Sequence, residues 1–183
     1  MVKKILVFSN GEKIGDGIIK LQLLHEIKTR LPNYKLYWLT NKGKTVYSST
    51  LKFIASNYID EVLDQADLSP FFWNKISKRY NLQDESFDYI LDTQKSVIRT
   101  AALKRIKHKN FISGSANGFF STKKIKNNRK KHYYLNYILD LLDLIVTTNR
   151  KSDFKIPISE NLDGLISNIL SKDKSYIGIA PGA

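Results

Sequence analysis

Short β-favouring apolar runs alternate with helical patterns along this chain, and that alternation constrains its fold more than any other feature. Residues 4–9 (KILVFS), 35–40 (KLYWLT), 59–63 and 87–91 (FDYIL) read as strands, with a shorter one at 110–112 and a last one at 176–180. After the first strand, Ile18, Leu21, Leu24, Ile27 and Leu31 recur at spacings of three and four, which predicts a helix that Pro32 and Asn33 end. Further helices are expected over residues 45–55, 69–80, 96–105, 133–146 and 160–170. Residues 10–17, with Gly11, Gly15 and Gly17, read as a loop.

Strands and helices in this order predict an α/β domain, a Rossmann-like and mainly parallel sheet flanked by helices. Such sheets bind ligands at the carboxyl ends of their strands. The informative residues are therefore the loop after the first strand, residues 92–99 after the fourth, and whatever follows Ala180. A strand running into Pro181-Gly182-Ala183 normally opens a new loop and helix. Residues 149–183 accordingly read as a linker, a helix and the first strand of a second unit, with residues 1–148 as the first.

Composition narrows the chemistry. The 183 residues contain no cysteine, which excludes disulfides, thiolate zinc sites and a cysteine nucleophile and fits a reducing cytoplasm. No apolar run approaches the ~18 residues that a membrane-spanning helix needs. Thirty Lys and Arg against seventeen Asp and Glu give a formal charge of +13, pointing to an anionic partner: nucleic acid, a phospholipid surface or a phosphorylated substrate. An AT-rich genome, which inflates Lys, Asn and Ile, would raise the same number. His25, His108 and His132 are scattered without ligand spacing, so no metal site is expected.

Three segments carry candidate chemistry. The first glycine loop fails the dinucleotide fingerprint, since Gly11, Gly15 and Gly17 are wrongly spaced and strand two ends in Thr40-Asn41; no Gly-Lys-Ser/Thr follows either. Gly15-Asp16 remains at a strand-to-helix junction. Asp16 could cap the helix or, held at the sheet's carboxyl edge, take a proton from a hydroxyl. Residues 92–99 (DTQKSVIR) set Asp92, Gln94, Lys95 and Arg99 just past a strand, suited either to an anionic polyhydroxylated ligand or to a capped helix start. Residues 104–131 hold ten Lys or Arg and no acid, with Phe111, Phe119 and Phe120 interleaved. That pattern suits single-stranded nucleic acid or an anionic lipid surface alike.

In order along the chain, these landmarks resemble the heptosyltransferases, glycosyltransferases of family 9 with the two-domain GT-B fold. The shared pattern is a strand, loop and Gly-Asp before a helix (Ile5 to Ile18), Tyr-Ile-Asp-Glu-Val (Tyr58 to Val62), Phe-Asp-x-x-Leu-Asp-x-Gln (Phe87 to Gln94), a histidine opening a Leu-rich helix (His132), and a strand into Pro-Gly-Ala (Ile177 to Ala183). The resemblance implies metal- and cofactor-independent, inverting transfer of a sugar from a nucleotide-sugar of the ADP-heptose type to a lipopolysaccharide core or related anionic glycan. Residues 1–148 would be the acceptor-binding domain and residues 149–183 the start of the donor domain, whose nucleotide-binding residues would lie beyond Ala183. This stretch alone would then be inactive. The resemblance makes Asp16 the catalytic base. It assigns the acceptor to Lys13, Asp92, Gln94, Arg99, Lys123, Lys124, Arg129 and His132, and the donor to Gly15 and Gly182. It places the protein in the cytoplasm at the inner face of the bacterial inner membrane, with a lipid or glycan rather than nucleic acid as partner. The family's lysine at the end of strand one is Asn10 here, with Lys13 as a possible substitute; the Ser/Thr-x-Pro-like step of its first helix is Lys20-Leu21-Gln22, and its glycine after Asp-x-Gln is Lys95. The alternative is a non-catalytic basic module that binds an anionic lipid surface or nucleic acid.

Overall fold

The computed structural model describes residues 2–123, 133–150, 153–157, 160–170 and 173–177. Five parallel strands form one sheet in the order β3-β2-β1-β4-β5: β1 Lys3–Ser9, β2 Tyr34–Thr40, β3 Glu61–Leu63, β4 Ser86–Asp92 and β5 Lys107–Ser113. The expected Rossmann-like α/β class is the observed one. The helices are α1 Ile14–Arg30, α2 Lys52–Ala55, α3 Val97–Leu103, α4 Tyr134–Asp143 and α5 Glu160–Ile169.

Alternation along β1 decides the two faces of the sheet. Ile5 and Val7 point into one core with Leu36 and Trp38, covered by α1, α2 and α4. Leu6 and Phe8 point into the other with Tyr37, Leu39, Phe87 and Phe111, covered by α3 and the segment between β3 and β4. Both faces are buried, so β1 and β2 read as near-continuous apolar runs.

Three sequence expectations change. The helix predicted from about Ile18 begins at Ile14, so Gly15, Asp16 and Gly17 form its first turn rather than a loop. Tertiary contact overrides the low helix propensity of glycine here. A Cβ on Gly17 would come within 2.4 Å of Val46 Cγ2, and the Gly17 carbonyl accepts a hydrogen bond from the buried Tyr47 hydroxyl at 2.7 Å. The helix expected over 45–55 is a short 3-10 turn, Val46–Ser48, followed by α2, because Asp64 draws the start of the segment out of helical geometry. Its carboxylate accepts from the Thr45 amide at 2.8 Å and the Ser48 hydroxyl at 2.5 Å.

The helix expected over 69–80 is absent. Leu68 and Ser77 instead form an isolated antiparallel bridge. The Ser77 hydroxyl donates to the Ala66 carbonyl and accepts from the amides of Arg79 and Tyr80, replacing a helical ladder with side-chain bonds. At the end of the chain, Tyr176 and Ile177 lie outside the sheet, and the remainder of the expected strand lies outside the described residues.

Candidate active-site cleft

In the strand order 3-2-1-4-5 strands are added to opposite sides from β1 and from β4, so the connections leaving their carboxyl ends diverge and open a crevice. A cleft of about 450 Å³ opens there, lined by Asn10, Gly11, Asp16, Lys20, Thr93, Gln94, Lys95 and Tyr134. Gly11 takes a φ of 90°, and a Cβ would lie 2.7 Å from the Lys42 carbonyl oxygen, so this turn requires glycine.

Asp16 stands on one wall as an exposed carboxylate in the first turn of α1. It is not the helix cap: Lys13 occupies that position and makes no side-chain capping bond. An anion in the first turn is nonetheless favoured by the helix dipole. One turn on, Lys20 shares Asp16's face of the helix but is buried, with 4% of its side chain accessible. Its Nζ donates to Ser9 Oγ at 2.8 Å and lies 3.7 Å from Glu12 Oε1. Burial pushes the Lys20 ammonium below its ordinary pKa, against the pull of the Glu12 and Asp16 charges.

Glu12 completes this network from beneath the loop. Its carboxylate accepts from Trp38 Nε1 at 3.1 Å and from Thr45 Oγ1 at 2.5 Å, so the β1 loop is tied to β2 and the segment behind it. On the opposite wall, Thr93 Oγ1 donates to the Phe8 carbonyl at 2.8 Å and anchors the loop after β4. The Lys95 ammonium sits 4.7 Å from the centre of the Tyr137 ring, and Lys20 Nζ lies 5.7 Å from that of Tyr134. Burial raises the pKa of both tyrosines, Tyr137 to about 12, so both are neutral phenols at physiological pH. Asn10 Oδ1 is buried and has no hydrogen-bond partner among the described residues. An accepting amide oxygen beside a carboxylate and two ammonium groups is a set suited to hydroxyls and an anionic group on one ligand.

The structure separates the residues proposed from sequence. Asp16 and Gln94 line the cleft. Asp92 does not: it is fully buried, accepting from Thr100 Oγ1 at 2.6 Å, Ser113 Oγ at 2.8 Å and the Gln94 amide at 2.9 Å. Its geometry shapes the loop that presents Gln94 instead of offering a ligand contact. Lys13, Gly15 and Arg99 lie outside the cleft lining; Lys13 and Gly15 are exposed, and Arg99 is half-buried on α3. Lys123 is exposed at the end of a described segment. Lys124, Arg129, His132 and Gly182 lie outside the described residues. Lys20 and Tyr134 join the site unanticipated. The signal for Lys20 was available, as a lysine four residues after Asp16 beside the apolar Leu21. Tyr134 had none, because Lys20, Thr93 and the other residues it joins in the cleft are far from it in the chain.

No protein-family model matches the sequence, and no curated protein matches it either. Solved structures do. A glycosyl transferase of family 9 from Veillonella parvula DSM 2008 superposes with a TM-score of 0.57 at 16% identity, covering 93% of this chain and 51% of that one. The fold is that of part of a family 9 glycosyltransferase. The heptosyltransferase WaaC of E. coli, bound to ADP-2-deoxy-2-fluoro heptose, superposes with a TM-score of 0.56 at 17% identity, over 82% of this chain and 50% of that one. A second WaaC structure, with ADP, gives 0.53 at 17% identity. The chain thus spans about half the length of the glycosyltransferases it resembles.

Proposed function

We propose that this chain forms the acceptor-side part of an inverting glycosyltransferase of the heptosyltransferase type, with Asp16 as the general base. The observation that carries this reading is the placement of an exposed carboxylate in a polar crevice at the topological switch point, beside Lys20, Lys95, Gln94 and the unpartnered Asn10 oxygen. Asp16 takes the proton of an acceptor hydroxyl while that oxygen attacks the anomeric carbon of a nucleotide-sugar, on the face opposite the leaving diphosphate. One carbon–oxygen bond forms and the bond to the phosphate oxygen breaks, inverting the configuration. Lys95 and Lys20 offset the charge of an anionic, lipid-linked glycan acceptor, and no metal or cofactor is required. The likeness to an enzyme solved with an ADP-heptose analogue supports a donor of that class. Residues outside this stretch would hold its nucleotide.

Asp16→Asn, placed in a chain that carries both halves, is expected to lower kcat by about two to four orders of magnitude with unchanged thermal stability. Turnover at the normal rate would reduce Asp16 to a dipole-complementing residue of α1. A non-catalytic basic module is the second reading, favoured by the acid-free stretch from Lys104 onward. It predicts ligand binding that Asp16→Asn does not alter and that falls as salt rises.

A further inference from the structure

Away from the cleft, Phe71, Phe72 and Trp73 follow one another in the segment that was expected to be helical, and they are 51%, 83% and 68% exposed. Side chains of this size normally supply core, and three adjacent rings left in water mark a surface that something covers. The loop is held open by hydrogen bonds rather than collapsed. Arg105 donates to the carbonyls of Ser69 at 2.6 Å, Asn74 at 2.6 Å and Phe72 at 3.4 Å, and Asn74 Nδ2 donates to Ser69 Oγ at 3.1 Å. The neighbouring Lys104 donates to the Phe120 carbonyl at 3.1 Å, which fixes a second aromatic loop to the same end of α3, with Phe119 82% exposed. Consecutive residues at one helix end thus anchor two exposed aromatic loops.

Both stretches are acid-free in sequence, residues 69–80 with Lys75, Lys78 and Arg79 and residues 104–131 with ten cations. Among the described residues, two of these cations pair with acids outside the stretches, Lys78 with Asp67 at 3.1 Å and Lys109 with Asp88 at 2.6 Å, so the positive excess rests on the others. We infer that these two loops form a docking surface for an anionic phospholipid bilayer, with Phe71, Phe72, Trp73 and Phe119 entering the interface and the flanking cations on lipid phosphates. The rings favour a bilayer over single-stranded nucleic acid, because they form one apolar cluster rather than separate stacking platforms. Phe71 and Trp73 stack on each other at 5.0 Å, while Phe72 meets Trp73 edge-on at 4.8 Å. A second copy of this chain would bring like charge against like. The inference adds a bilayer to the proposed transferase, and its test reads vesicle binding alone, so its failure leaves the cleft chemistry standing.

The two tryptophans make the test selective, because Trp38 is fully buried and Trp73 is exposed. The 183-residue chain is mixed with vesicles of phosphatidylcholine, with or without phosphatidylglycerol, and with an oligothymidylate. Phosphatidylglycerol vesicles are expected to shift Trp73 emission to the blue and to bind about tenfold or more tightly than neutral ones, less so as salt rises. In flotation, Phe72→Ser/Trp73→Ser is expected to lose that binding while keeping the parent melting temperature; Phe53→Ser, another exposed ring on α2, is expected to keep it. Equal flotation of parent and double variant would overturn the inference. So would an unshifted Trp73 with anionic vesicles, or a shift with the oligonucleotide alone.

Discussion

At the residue scale, the buried pair Lys20–Glu12 shows how a cleft wall is stiffened at a cost in stability. Lys20 has 4% of its side chain accessible and Glu12 none, so each depends on its partners for what water would have supplied. Lys20→Met removes the cation but leaves the Glu12 carboxylate with only neutral donors. It is expected to lower unfolding free energy by about 3 kcal/mol in urea titration, and adding Glu12→Gln should restore most of the loss. Asp92 makes a different prediction. Burial raises its pKa above the ordinary carboxylate value despite three hydrogen bonds. The folded state therefore keeps a proton that the unfolded chain has released, and stability falls as pH rises through that window. Asp92→Asn does not titrate. Melting curves from acid to neutral pH should show the parent losing stability relative to the variant; a parent that gained would show that the hydrogen bonds outweigh burial.

At the scale of elements, close approaches fix how α1 and α4 meet the sheet. Gly17 lets Val46 and Tyr47 sit on the start of α1, and Gly114 lets α4 reach the end of β5. A Cβ on Gly114 would lie 2.1 Å from the Tyr137 hydroxyl and 2.8 Å from two ring carbons. Gly114→Ala is expected to cost about 1–3 kcal/mol by forcing Tyr137 aside. Replacing that ring in Gly114→Ala/Tyr137→Leu should reduce the penalty measured against Tyr137→Leu alone, a coupling that a thermal double-mutant cycle reads directly. Farther along, Arg150 pairs with Asp140 at 2.5 Å and Asp143 at 2.5 Å, and the Phe154 ring lies 5.3 Å from His25. The stretch after α4 is thus tied back to the first face of the sheet, at least as far as Phe154.

For the whole molecule, the cleft has walls from β1–α1 and from β4–α3 with Tyr134 of α4 at its side, and its contents are polar. Calorimetry with ADP-heptose tests how far the site extends. This chain alone is expected to give no measurable heat, whereas a protein carrying the other half of the fold should bind. Binding by these 183 residues would place the nucleotide in the cleft described here and displace the acceptor from it.

Much of the fold was legible in the sequence, because it depends on local periodicity. The five strands and the helices α1, α3, α4 and α5 follow from apolar runs and helical spacing, and Gly-Asp after β1 pointed to Asp16 at the sheet's carboxyl edge. Sequence also supplied the positive charge and the acid-free stretches around the aromatics. Tertiary structure alone decided the rest. Whether Gly15 to Gly17 coil or wind into α1 depends on Val46, Tyr47 and Leu51 packing against Gly17, and whether 69–80 is helical depends on Ser77 accepting from its amides and Arg105 donating to its carbonyls. The role of Asp92 was hidden for the same reason: only the fold brings Thr100 and Ser113 to its carboxylate and turns a candidate ligand group into a buried support. Such bonds join residues far apart in the chain, and no local pattern of residue types records them.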